Sequence, residues 1–363
     1  MTRRTSLDEE PLTLITGGAG FIGTNLADRL LSQGAQVLVL DDLSRPGVER
    51  NLAWLRARHA GRLQVELADI RDTSAVRRTV DRADRIFHLA AQVAVTTSLT
   101  DPVRDFEINV RGTLNVLEAA RARPRPPPLL FTSTNKVYGA LPDVELERQG
   151  RRYVPADAQL AAAGVDERRP LDFHSPYGCS KGAADQYVLD YARCFGLPAA
   201  VFRMSCIYGP HQCGTEDQGW VAHFLMRARE QARLTIYGDG YQVRDVLFVE
   251  DLVEALLLAM RAIDRLRGQA FNIGGGPRNS MSLLELLDVM AERLGLRVHV
   301  DHAGWRSGDQ RYYVTNSAKF SAATGWSPAV AVVDGVGRLQ EWLARGQPPA
   351  PTRPGLTSRA ALS

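Results

Sequence analysis

Short apolar runs alternate with amphipathic stretches over the first two hundred residues, and that alternation sets the elements. Runs over Leu12 to Thr16, Gln36 to Leu40, Leu63 to Glu66, Arg85 to Leu89, Leu129 to Ser133 and Ala199 to Met204 read as strands. Between them, helical spacing of apolar positions predicts helices near residues 21–33, 47–59, 73–82, 103–122 and 176–195. This is the pattern of a parallel sheet covered by helices on both faces. Right-handed crossovers wind such a series into a doubly wound α/β sheet, with a ligand crevice at the carboxyl ends of the strands. Beyond about residue 205 the signals shorten and Gly, Pro and aromatics become denser. The expectation is a first domain over 11–204 and a smaller C-terminal α/β lobe over 205–346. Residues 1–10 and 347–363, the latter with four prolines, are expected to be disordered.

A chain of 363 residues with 45% hydrophobic content is long enough for two lobes sharing a core. A formal net charge of +3 with Arg spread throughout suits a small anionic ligand better than a nucleic-acid surface. No apolar run approaches the roughly 18 residues of a membrane span. The start, Met1-Thr2-Arg3-Arg4 followed by Asp8-Glu9-Glu10, lacks a signal-peptide core, so a cytoplasmic protein is expected. Cys179, Cys194, Cys206 and Cys213 form no C-x-x-C pair and have no His companions at zinc spacing, which predicts free thiols and no metal site.

Three motifs carry chemistry. The first strand runs into Gly17-Gly18-Ala19-Gly20-Phe21-Ile22-Gly23, with a helix starting at the turn's end. Gly17, Gly20 and Gly23 let backbone approach a pyrophosphate, and the first helical residues, Phe21 and Ile22, present N–H groups to it. The second strand ends at Asp41-Asp42, about the distance after the turn at which a carboxylate meets the adenosine ribose hydroxyls. Its charge repels a 2'-phosphate, favouring NAD over NADP. Finally, Tyr177 and Lys181 lie four apart on one helix face, downstream of Thr134-Asn135-Lys136. The ammonium is expected to hold the phenol near the cofactor and to favour its ionised form. A Tyr–Lys pair alone reads as a surface pair; its company makes it a hydride-transfer site.

In this order the motifs resemble the extended short-chain dehydrogenase/reductase superfamily, specifically its nucleotide-sugar epimerases and dehydratases, over about residues 11–345. The stretch from Asp172 to Phe224, with Ser175-Pro176-Tyr177-Gly178-Cys179-Ser180-Lys181 and Gly214-Thr215-Glu216-Asp217-Gln218-Gly219-Trp220, is similar to 2-epimerases of cytidine-diphosphate sugars. The resemblance implies a Rossmann fold and tightly bound NAD. It places Thr134 on the reacting hydroxyl, Tyr177 as acid/base and Lys181 on the cofactor ribose. Asp69 and Ile70 would flank adenine, Ala90, Ala91 and Gln92 would lie beneath the pyrophosphate and nicotinamide, and Asn109 would stand on the cofactor side near the Lys. Substrate contacts fall to Thr134, Asn135, Cys206, Gln218, Arg244 and Arg306, the two arginines on the diphosphate. At Cys206 the family commonly has Asn, so the sugar is expected to sit differently from that of a 4-epimerase. A homodimer through the helices carrying Asn109 and Tyr177 is also implied.

The reaction follows from residues beside Thr134. Dehydratases of the family place an acidic pair there; Asn135-Lys136 supplies no carboxyl, so elimination loses its usual proton donor and base. Oxidation at C4 acidifies C3 and C5 but not C2, whereas direct oxidation at C2 needs only Tyr177, Thr134 and NAD. The expected activity is an isomerase that inverts C2 of a nucleotide-diphosphate sugar through a 2-keto sugar. The alternatives are a 4-epimerase, a 4,6-dehydratase, a 2-epimerase of GDP-, ADP- or other NDP-linked hexoses or heptoses, a net dehydrogenase, and a catalytically idle NAD-binding scaffold.

Overall fold

The computed structural model describes residues 11–306 and 308–345, so the expected disordered ends lie outside the described residues. Seven parallel strands form one sheet, in the order Ala270–Ile273, Ala199–Met204, Leu129–Thr134, Arg85–His88, Leu12–Thr16, Gln36–Asp41 and Leu63–Leu67. The chain leaves Leu12–Thr16 toward one edge, then returns to Arg85–His88 on its other side. That reversal opens a crevice at the carboxyl ends of the two strands. Successive residues point to opposite faces: Ile15 packs with Leu26, Phe87 and Leu256 on one side, while Leu14 packs with Val116, Phe131 and Val188 on the other. Every residue of Leu129–Thr134 is buried, as a central strand covered on both faces must be. The six expected strands all form, with ends shifted by at most one residue.

The expected cut after residue 204 is crossed. Helix Val249–Arg261 packs into the same core as helix Phe21–Ser32, and Ala270–Ile273 pairs with Val201–Met204 as the seventh strand. A parallel strand left at the edge would expose a row of unpaired backbone groups, and this later segment covers it. The smaller lobe is therefore discontinuous. It centres on Val243–Phe248, which pairs with Cys206–Tyr208, Ser280–Ser282 and Tyr312–Tyr313. Around Phe224, Leu225, Ile236, Phe248 and Leu286 it has a core of its own. It also borrows the hairpin Leu146–Gln149/Arg152–Pro155, fastened by a bidentate ion pair from Arg152 to Glu285.

The helix expected over 103–122 forms, with one wider turn inside it. It runs as Pro102–Phe106 and Gly112–Arg121, joined by one π turn over Glu107–Arg111. The π turn carries Asn109, whose side chain is buried. No helix among the described residues is long and apolar enough to cross a membrane.

Candidate active site

A cavity of about 770 Å³ opens at the switch point of the sheet and runs to the smaller lobe. Its floor is the glycine turn. Gly17 has φ +70°, and a Cβ there would lie 2.8 Å from the Ala90 nitrogen. A Cβ on Gly23 would lie 2.3 Å from the Gly17 carbonyl oxygen. Both positions thus demand glycine, the first for its left-handed backbone and the second for close helix packing. Helix Phe21–Ser32 begins on Gly20 with no side-chain cap, so its first N–H groups face the cavity without an intrahelical partner. This cradle fits a dinucleotide pyrophosphate.

At the end of Gln36–Asp41, the Asp41 carboxylate accepts from the Ala19 nitrogen (2.9 Å) and the Leu43 nitrogen (2.9 Å). One lone pair on each oxygen remains for ribose hydroxyls. Burial pushes its carboxyl above the usual range, opposed by those backbone bonds. Asp42 turns to Ser44, accepting from its nitrogen and hydroxyl. Asp69 accepts from Arg71 at 2.6 Å, which holds its carboxyl low, and with Ile70 it lines the same end.

Helix Ser175–Phe195 delivers Tyr177 and Lys181. Its start is pinned by the Tyr177 nitrogen donating to the Ser98 hydroxyl (3.1 Å), and it ends on Gly196 in the left-handed conformation. Ser175, the helix's first residue, holds φ +63°, a strained conformation for a non-glycine residue two positions before Tyr177. The buried Arg203–Asp185 pair, 2.9 Å on both arms, sets the helix against Ala199–Met204. The Tyr177 phenol hydrogen-bonds Thr134, while burial pushes its pKa up to about 12.

Lys181 lines the cavity with Tyr177, and its ammonium also meets the neighbouring strand. Its ammonium donates to the Thr132 carbonyl at 2.6 Å and lies 4.2 Å from the centre of the Phe131 ring. Burial lowers its pKa to about 7 against the pull of Asp185 and Asp105. The Asp105 charge raises the phenol further, and the Arg45 charge lowers it. The protein's own groups therefore keep Tyr177 protonated, because desolvation outweighs its single favourable hydrogen bond.

Asn109 is the one expected cofactor residue that does not line the cavity. Its amide nitrogen donates to the Gln92 carbonyl (3.1 Å), Asp105 (3.2 Å) and the Ser180 hydroxyl (2.9 Å), and its oxygen accepts from the Gln92 nitrogen (2.9 Å). With its amide spent on protein groups, it acts by holding the Ala90-Ala91-Gln92 segment and the turn before Lys181. Beneath that segment lies His88. Thr113 donates its hydroxyl proton to the Asn109 carbonyl (2.6 Å), so His88 Nε2 must donate to Thr113 (3.0 Å). Nδ1 then accepts from Thr16 (2.6 Å), whose oxygen accepts from the Ala90 nitrogen (3.2 Å). This leaves a neutral imidazole, and burial drops its pKa to about 3.

The smaller lobe supplies the opposite wall with Cys206, Gln218, Arg244 and Arg306, while Asn135 joins from the main sheet. Arg306 lies 3.5 Å over the Tyr237 ring and bridges Glu216 (3.1 Å) and Asp217 (3.2 Å). Arg244 donates to the carbonyls of Val243 (2.8 Å) and Gln310. Asn135 donates to Gln310 (3.2 Å), tying the end of the catalytic strand to the segment that bears Arg306. Burial raises the Cys206 thiol, so it stays neutral and is no nucleophile. The Gln218 side-chain oxygen is buried without a hydrogen-bond partner among the described residues.

A model of the NAD dependent epimerase/dehydratase family matches residues 13–274. The chain belongs to that family. Among similar proteins, CDP-paratose 2-epimerase of Salmonella typhi is 46% identical over 336 residues, covering 91% of this chain and 98% of the relative. A dTDP-glucose 4,6-dehydratase of Salmonella typhimurium is 30% identical, covering 91% of each. Among solved structures, the UDP-glucose 4-epimerase of Thermus thermophilus in complex with NAD has a TM-score of 0.76 at 33% identity, covering 92% of this chain and 99% of that one. The family is NAD-dependent, and the glycine cradle and Asp41 fit that cofactor.

Arg45 and Lys136 line the cavity but were not among the expected site residues. Arg45 follows Asp41 in the loop after the second strand, and its charge reaches Tyr177. Lys136 lines the cavity beside Arg244. Both are cations just past the carboxyl end of a parallel strand, the one signal that could have singled them out.

Proposed function

We propose that the chain is an NAD-dependent epimerase that inverts C2 of a CDP-linked deoxyhexose through a 2-keto sugar. The observation that carries it is the group Thr134, Tyr177 and Lys181 at one end of a cavity whose next residues are Asn135 and Lys136, where elimination would need carboxylic acids. Likeness to a CDP-paratose 2-epimerase along nearly the whole chain supports the same sugar. When bound, an oxidised nicotinamide supplies a hydride acceptor and a positive charge beside the phenol. Tyr177 then takes the C2 hydroxyl proton, assisted by the Thr134 hydroxyl. C2 loses its hydride and that proton to become a carbonyl, and both return after the keto sugar has presented its other face. Arg244 and Arg306 keep the diphosphate in place meanwhile.

Purified protein should invert C2 of such a substrate without added cofactor and release NAD on denaturation. The check is a panel of nucleotide sugars analysed for C2 and C4 stereochemistry. Net sugar oxidation with exchangeable NADP would sink the reading.

The assembly we propose is a homodimer. Val103 (71% exposed), Phe106 and Phe195 leave apolar surface on the helices that pack around Asn109 and Tyr177. Replacing both Val103 and Phe106 with Asp should convert a dimer to a monomer in sedimentation. A monomeric wild-type protein would rule the dimer out.

A further inference from the structure

Two cations stand together in the cavity with no ion pair on either among the described residues. The Lys136 ammonium donates to the Gly308 carbonyl at 3.0 Å, and Arg244, 8% exposed, donates to the carbonyls of Val243 and Gln310. Those partners are neutral. An ammonium has three donors and a guanidinium five, so donors are left over on both. Burial and the neighbouring Arg244 charge lower the Lys136 pKa to about 8, with Asp309 and Cys206 as the groups that oppose this. Two like charges that feel each other in one cavity are unfavourable unless an anion comes to them.

Position indicates which anion. Lys136 follows Thr134 by two residues, and its backbone nitrogen donates to the Thr134 hydroxyl oxygen at 3.2 Å. A phosphate held by its side chain therefore lies no more than one lysine side chain's reach from Thr134, in the same cavity. In a nucleotide sugar reacting at C2, the adjoining carbon, C1, carries the diphosphate. In one reacting at C4, the diphosphate lies across the ring. We propose that Lys136 binds the sugar-linked phosphate together with Arg244 and thereby seats C2 against Thr134 and Tyr177. The inference rests on the C2 reading and adds the residue that sets it.

The test measures binding to NAD-loaded protein by calorimetry, using the mono- and diphosphates of cytidine, uridine, guanosine and adenosine. Covering four bases keeps the choice of base separate from the phosphate contact. For whichever base binds, Lys136→Met should weaken the diphosphate about tenfold or more, the loss of one charge-assisted hydrogen bond, and leave the monophosphate unchanged. Equal losses for both nucleotides would mean that Lys136 only braces the Gly308 segment, which overturns the proposal. Unchanged binding of both overturns it as well. A wild-type enzyme that inverts C4 alone removes the seating role whatever the binding contrast.

Discussion

Tyr177→Phe is expected to lower turnover about 10²- to 10⁴-fold, the usual worth of a positioned acid/base group. The substitution keeps the ring, which is buried at the start of helix Ser175–Phe195, and deletes only the oxygen that meets Thr134. NAD should therefore remain bound, because the glycine turn and Asp41 are untouched. The loss should fall on kcat, since the missing proton transfer belongs to the transition state rather than to binding. Steady-state rates together with the nucleotide released on denaturation check both halves. Burial pushes the phenol up to about 12, so the positive charge of bound cofactor is what favours the form that takes the proton. A variant retaining a near-normal rate would refute the proton-transfer assignment.

The main sheet was legible because its strands are buried on both faces and so appear as uninterrupted apolar runs. The seventh strand was not. Ala270–Ile273 has four residues, one of them Asn272, which is fully buried only because its amide meets the Tyr138 hydroxyl (2.7 Å) and the Val165 carbonyl (3.0 Å). Partners more than a hundred residues away cannot be read from local pattern, and without them a buried Asn argues against a strand. The same limit explains Asn109 and Lys181. Spacing placed Tyr177 and Lys181 on one helix face, but the direction of the ammonium was decided by the Thr132 carbonyl on the neighbouring strand. Asn109 was turned inward by a π turn and by Gln92 and Ser180, none of which its own segment announces. Lys136 was visible only as a missing acid. Its meaning as a cation depends on Arg244, which the fold brings to it from the other lobe.

A substrate carrying deuterium at C2 is expected to give a C2-inverted product that keeps its label, and unlabelled substrate turned over in heavy water should gain none. The reasoning is one of atom balance. If C2 itself is oxidised, its hydrogen leaves as hydride and returns to the same carbon, while only the hydroxyl proton passes through Tyr177 and exchanges with solvent. A proton route to C2 needs a 3-keto sugar and a base aimed at the C2 hydrogen. The residues next to Thr134 are Asn135, an amide engaged with Gln310, and Lys136, an amine whose lowered pKa of about 8 still leaves it mostly protonated at neutral pH. Neither is a ready base, which is the physical ground for expecting retention. Mass spectrometry or proton NMR of the product reads the label directly. Solvent deuterium at C2 would establish the 3-keto route, and inversion confined to C4 would move the protein among the 4-epimerases. Both results would leave family membership and NAD dependence intact, because those rest on the glycine cradle, Asp41 and the sheet that positions them.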